Sequence, residues 1–264
     1  MAFIKIDNAV HHYLVEGDRK KPALVFSNSL GSDLCIWDTV VSRLAANFQI
    51  VRYDKRGHGL SDATELPYSI NRLAQDLDGL LDALSLNDTV VCGISVGGLI
   101  AQCLALDRPK RVRALILCDT GARIGSVDSW DQRIATVRAE GLQALESVSM
   151  ERWFTRTFRE RFPADVRGYS NMLLRTTTAG YLGACFALRN ADFRQEANRI
   201  DCPTLVLCGE QDIATPPELG RELARLIPCA QFAQIQEAAH LICIEQPDAV
   251  VTRMMQFFKE VRIV

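Results

Sequence analysis

Hydrophobic and polar positions along the chain follow two periods. The opening stretch Met1-Ala2-Phe3-Ile4-Lys5-Ile6-Asp7 alternates apolar and polar residues, as a strand with one face on a core does. Short apolar, β-branched runs recur at 3–6, 10–15, 23–27, 49–54, 89–94, 113–118, 204–208 and 231–236, and the first two predict a hairpin. The central runs, such as Thr89-Val90-Val91-Cys92-Gly93-Ile94 and Thr204-Leu205-Val206-Leu207-Cys208, are almost continuously apolar, which predicts strands covered on both faces. Between the runs, at about 37–46, 69–85, 96–107, 216–227 and 246–260, apolar residues return with helical spacing. Strands and helices in alternation predict an α/β fold with a mostly parallel sheet flanked by helices.

The alternation fails between about 121 and 195, where no strand signal occurs and the chain reads as several helices carrying Trp130, Trp153 and many arginines. The expected organisation is therefore a core made of 1–120 and 196–264, interrupted by a helical lid or cap insertion over 121–195. Residues 121 to 190 hold ten Arg, no Lys and seven acids, a net +3 within a chain of formal charge −2, so the remainder carries −5. Such an excess is usually a solvated face, and it can also bias a pocket towards anionic ligands.

Composition excludes several classes. With 264 residues, 48% apolar and 23% charged, the chain can bury a sizeable core as one globular domain with an insertion. Lys+Arg at 30 against Asp+Glu at 32 offers no basic excess for nucleic acid or an anionic membrane. Charges, Gly or Pro interrupt every apolar run before it reaches the roughly 20 residues that span a bilayer. Asp7 stands where a signal peptide has its apolar run, so a cytoplasmic protein is expected. Nine cysteines without a C-x-x-C pair predict neither a disulfide framework nor a zinc ribbon. Cys92, Cys118 and Cys208, inside β-branched runs, are expected to pack as free buried thiols.

The chemistry concentrates in one phrase, Gly93-Ile94-Ser95-Val96-Gly97-Gly98, set between a strand and a helix. This is the G-x-S-x-G nucleophile elbow in its required context. A serine hydroxyl needs a positioned base, and the chain has only His11, His12, His58 and His240. His240 follows the last strand, so its loop opens at the carboxyl ends of the strands as the elbow does. Asp212, after strand 204–208, completes the order Ser, Asp, His; Asp119, after strand 113–118, and Glu210 are the alternatives for the orienting acid. The small residues of Asn28-Ser29-Leu30-Gly31-Ser32 allow the Leu30 N–H, with that of Val96, to form an oxyanion hole. No His cluster offers a metal site, and the chemistry calls for no cofactor.

Elbow, acid, histidine, insertion and Asp54-Lys55-Arg56-Gly57-His58-Gly59-Leu60-Ser61 together resemble the α/β-hydrolase superfamily over nearly the whole chain. Within it, Asn28-Ser29-Leu30-Gly31-Ser32-Asp33, Tyr53–Asp62 and Gly93–Gly98 resemble the bacterial 3-oxoadipate enol-lactonases; Asn28-Ser29 stands where many superfamily members carry His-Gly. The resemblance implies a triad of Ser95, Asp212 and His240, oxyanion donors at Leu30 and Val96, and a structural role for Arg56 and His58. It also implies a lid whose Trp130, Arg133 and Trp153 wall the pocket or pair with a substrate carboxylate. The implied activity, within aromatic catabolism by the β-ketoadipate pathway, opens a small anionic lactone to 3-oxoadipate through an acyl-enzyme, with no metal and no cofactor. A carboxylesterase, a carbon–carbon bond hydrolase and a cofactor-free perhydrolase or haloperoxidase-like enzyme share the same triad and remain open. A non-catalytic binding protein on this fold usually lacks a triad member, and here all three are present. No feature of the sequence sets the oligomeric state.

Overall fold

Residues 1–264, all described by the computed structural model, build one eight-stranded sheet. The strands are β1 (Ala2–Ile6), β2 (Ala9–Glu16), β3 (Ala23–Ser27), β4 (Gln49–Tyr53), β5 (Thr89–Ile94), β6 (Val112–Cys118), β7 (Thr204–Gly209) and β8 (Gln231–Ile235). Their spatial order is β1-β2-β4-β3-β5-β6-β7-β8. β1 pairs antiparallel with β2, and β2 with β4; every other pairing is parallel. Each expected strand is present, with ends shifted by no more than one residue. β3, β4, β5 and β7 are buried along their whole length, whereas β1 alternates between half-buried and exposed positions at the edge. Cys92, Cys118 and Cys208 lie fully buried as free thiols.

Helices α1 (Asp38–Leu44), α2 (Ile70–Ala83) and α3 (Val96–Asp107) follow the expected stretches. α2 buries a stripe of Ile70, Leu73, Ala74, Leu77, Leu80 and Leu81, and the Ser69 hydroxyl caps it by accepting from the Arg72 N–H. α3 is buried on every side from Val96 to Ala105, because it packs on β3, β5 and β6 and under α2. Nearer the C-terminus, α9 (Pro217–Leu226) and α11 (Pro247–Glu260) fall as expected, while the four-residue α10 (Ile242–Glu245) is too short to leave a periodic signal. A 3₁₀ turn over Leu34–Trp37 leads into α1, capped by Asp33.

Five helices and no strand lie between β6 and β7: α4 (Val127–Glu140), α5 (Glu146–Trp153), α6 (Arg156–Arg161), α7 (Pro163–Arg175) and α8 (Thr178–Asn190). Trp153, Leu173 and Tyr181 from these helices belong to the same contiguous apolar core as Leu24 and Val91 of the sheet. No helix of the molecule is long and apolar enough to cross a membrane.

Candidate active site

The turn from β5 into α3 places Ser95 at φ 58°, ψ −120°, a conformation that costs a non-glycine residue roughly 1–3 kcal/mol. Its neighbours explain why the strain persists. A Cβ on Gly93 would stand 2.2 Å from the Gly97 carbonyl oxygen, and one on Gly97 would stand 2.2 Å from that of Ser27. Only hydrogen at both positions lets strand and helix approach so closely. The elbow is further pinned by the Ser95 N–H, which donates to the Cys118 carbonyl at 3.0 Å, and by Thr120 Oγ1, which donates to the Ser95 carbonyl at 2.8 Å.

His240 lies in the loop between β8 and α10, buried to 3% exposure, with Nδ1 at 2.8 Å from Asp212 Oδ2. With the proton on Nδ1, Nε2 is left as an acceptor. Asp212 is held in turn by the segment after β7. Its Oδ1 accepts from the Ala214 and Thr215 N–H groups at 2.7 and 3.0 Å, and its Oδ2 accepts from the Thr215 hydroxyl at 2.6 Å. Burial pushes the Asp212 carboxyl upward, but His240 and the Thr215 hydrogen bonds outweigh it and hold the group below the usual carboxylate range.

Asp119 makes no contact of this kind with His240. It is fully buried, its Oδ1 accepts from the Gly209 N–H at 2.7 Å, and its Oδ2 has no partner. Burial first, and then the Asp212 charge, push its carboxyl well above the usual range. Glu210 is exposed and accepts from the Glu237 N–H at 3.3 Å. Of the three acids weighed, the structure joins only Asp212 to the histidine.

Ser95 and His240 line one cavity of about 200 Å³. No hydrogen bond forms between Ser95 Oγ and His240 Nε2; the side-chain oxygen that Nε2 meets is Ser29 Oγ, at 3.4 Å. Catalytic hydrogen bonds of this type are often loose without substrate and tighten when it binds. The Leu30 N–H has no protein acceptor and Leu30 lines the cavity. Val96 opens α3, so its N–H has no acceptor within the helix.

The insertion supplies the opposite wall: Ser129, Trp130, Arg133, Ser149, Arg152, Trp153, Tyr181 and Leu188. All three expected wall residues, Trp130, Arg133 and Trp153, are therefore in place. The Trp130 indole N–H donates to the Ile124 carbonyl at 2.7 Å, and Arg133 stacks 5.3 Å from the centroid of the same ring while donating to the Tyr181 hydroxyl at 3.3 Å. Arg152 was not foreseen, although it directly precedes Trp153; nor was Thr215, whose D-x-x-T spacing from Asp212 is the available signal. Elsewhere in the insertion, Arg123, Arg156, Arg167 and Arg189 pair with carboxylates. No Asp or Glu lines the cavity. Arg56 and His58 stay away from it. Arg56 grips Asp76 through two bonds of 2.8 and 2.6 Å, and the buried His58 ring contacts the Arg56 carbonyl at 3.2 Å.

Comparison with known proteins agrees with this fold. The chain is 37% identical over 238 residues, 90% of its own length and 89% of the relative's, to 3-oxoadipate enol-lactonase 2 of Acinetobacter baylyi. It is 38% identical, with a TM-score of 0.95 over 98% of this chain and 100% of the other, to the crystal structure of the enol-lactonase from Burkholderia xenovorans LB400. A thermophilic esterase from Thermogutta terrifontis is 28% identical, with a TM-score of 0.90 over 96% and 94% of the two chains. The family model described as the alpha/beta hydrolase fold matches residues 22–247, and with it the chain belongs to the alpha/beta hydrolase family.

Proposed function

We propose that this protein is a serine hydrolase of carboxylate-bearing lactones, and that its reaction is the opening of 3-oxoadipate enol-lactone to 3-oxoadipate. The observation that carries the reading is the pair of arginines, Arg133 and Arg152, that line a cavity shared with Ser95 and His240 and free of acidic side chains. A carboxylate brought into such a cavity unpaired would be strongly disfavoured, and a planar guanidinium is its natural partner. The likeness at 35–37% identity to enol-lactonases supports the same substrate.

In this reading Ser95 attacks the lactone carbonyl as its proton passes to His240 Nε2, while Asp212 stabilises the imidazolium. The tetrahedral oxyanion rests on the N–H groups of Leu30 and Val96, each worth roughly 3–4 kcal/mol when removed. Collapse expels an enolate that stays tethered in the acyl chain and takes back the proton held by His240 as it ketonises, which leaves His240 neutral. Water, deprotonated by His240, then hydrolyses the acyl-enzyme and releases one product, 3-oxoadipate. Helices α4–α8 act as a lid that carries the carboxylate clamp.

The test is the loss of ultraviolet absorbance of 3-oxoadipate enol-lactone, generated in situ, measured beside turnover of a neutral p-nitrophenyl ester. Fast decay that drops on the order of 10⁵–10⁶-fold in Ser95→Ala is the expected result. Arg133→Ala and Arg152→Ala should raise KM for the lactone at least about tenfold and leave KM for the neutral ester nearly unchanged, since the lost partner is a charge-assisted one. Equal effects on both substrates would remove the clamp. Ester turnover without lactone decay would move the assignment to a carboxylesterase, the reading that the 28% identity to an esterase favours.

A further inference from the structure

Beneath the Asn28–Ser32 loop lies a cation that the chemistry above does not use. Lys55 is 1% exposed, and its Nζ donates to the Ser29 carbonyl at 2.5 Å and to the Ser32 carbonyl at 3.3 Å. Those two backbone oxygens are its only hydrogen-bond acceptors. An ammonium buried with no carboxylate bonded to it is costly, and an unbranched apolar side chain such as methionine, one atom shorter, would fill most of the space without that cost. The position of the charge therefore asks for a reason.

The Ser29 carbonyl and the Leu30 N–H belong to one peptide unit. That unit is trans, so its C=O and N–H point in opposite directions across a rigid plane. A cation that holds the carbonyl on the protein side thereby sets the direction of the N–H on the other side, where Leu30 faces the cavity and its N–H has no protein acceptor. The same cation draws electron density towards the carbonyl oxygen and makes the N–H a stronger donor, as hydrogen bonds in series do.

We propose that Lys55 is a positioning residue for catalysis, whose ammonium orients and polarises the Ser29–Leu30 peptide so that the Leu30 N–H is a preorganised oxyanion donor. The proposal rests on Ser95 as nucleophile and Leu30 as donor. Preorganisation matters because a dipole already aimed at the developing charge needs no rearrangement as the barrier is crossed. The charged and titratable groups around Lys55 are Asp54 and Asp33, which favour its protonated form, and His58, whose own proton affinity is lowered by burial and by the Lys55 charge. Burial outweighs the two acids and brings the ammonium down to about 7.

Lys55→Met removes the charge and keeps an unbranched chain only one atom shorter. With p-nitrophenyl butyrate as substrate, kcat should fall on the order of 10–100-fold, the range for a weakened oxyanion donor, with KM changed less than about twofold. Inhibition by phenylboronic acid, which forms a tetrahedral anion on the serine, should weaken by a similar factor. Unchanged kcat and boronate affinity in a folded Lys55→Met protein would overturn the proposal and leave Lys55 as a loop prop seen only in the melting temperature. Turnover retained in Ser95→Ala would instead remove the nucleophile on which the proposal stands. If Lys55→Met does not fold, the unmutated protein decides the matter by nuclear magnetic resonance. The Leu30 amide signal should move in step with deprotonation of Lys55 Nζ, and a Leu30 signal that ignores that titration overturns the idea.

Discussion

Asp119 and Asp212 stand at the carboxyl ends of the neighbouring strands β6 and β7, and their surroundings push their proton affinities in opposite directions. Asp212 is satisfied by His240, Thr215 and two backbone N–H groups, so it stays ionised; Asp119 has one donor, an unpartnered oxygen and the Asp212 charge nearby. The pH consequence for Asp119 has a definite sign. Its folded-state affinity is raised, so its ionisation opposes folding, with no penalty below about pH 4 and a growing one as pH rises towards the folded value. Asp119→Asn keeps the Gly209 bond through Oδ1 and removes that penalty. The expected result is a melting temperature a few degrees above the unmutated protein at pH 8 and a negligible difference at pH 4. A gain of the same size at both pH values would show that the carboxyl is not the source.

At the scale of elements, the elbow is where strand, turn and helix depend on one another. β5 ends in Gly93-Ile94, Ser95 takes the strained turn, and α3 begins with its backbone against Ser27 at the end of β3. Gly97→Ala puts a methyl where the Ser27 carbonyl stands, and backbone on both sides of the contact leaves no side chain to give way. The expected cost is about 2–4 kcal/mol, above the usual overpacking range because backbone must shift, together with loss of at least tenfold in kcat as Ser95 is displaced. Urea unfolding beside esterase assays measures both. A Gly97→Ala protein of unchanged activity would mean that the helix can slide without carrying Ser95 with it.

For the whole molecule, the question is how an insertion that begins after β6 is held to a histidine that follows β8. Glu245, half-buried in α10, makes the connection. One carboxylate oxygen accepts from the Thr155 N–H at 3.0 Å and hydroxyl at 2.7 Å, and the other accepts from the Ala239 N–H at 2.7 Å, directly before His240. The Leu241 N–H adds a bond to the Trp153 carbonyl at 3.1 Å. Glu245→Ala should therefore cost about 2–3 kcal/mol, for a charged acceptor that leaves its donors stranded, and should lower kcat as well as stability. Stability lost without any change in kcat would show that the His240 loop holds its geometry without the insertion.

Much of this architecture was legible along the chain because it is written in local pattern. Parallel strands buried on both faces must be apolar throughout, so β3, β5 and β7 announce themselves, and the period shift after Cys118 marks the five helices between β6 and β7. The elbow was legible for the same reason, since its glycines answer to a close approach between segments adjacent in sequence. Chain order then pointed to Asp212 and His240. What the chain order left open was every relation across distance. Asp212 and Asp119 both follow strands, and only the fold shows that one meets His240 while the other is isolated with an empty oxygen. Ten arginines are spread over the insertion, and only their packing separates the four that pair with carboxylates from Arg133 and Arg152 in the cavity wall. Lys55 read as one residue of a loop motif until the fold set its ammonium against the Ser29 carbonyl, 26 positions away. Backbone periodicity and steric need are local and are carried by the sequence itself, whereas charge pairing, burial and the direction of a peptide dipole exist only once segments far apart in the chain are brought together.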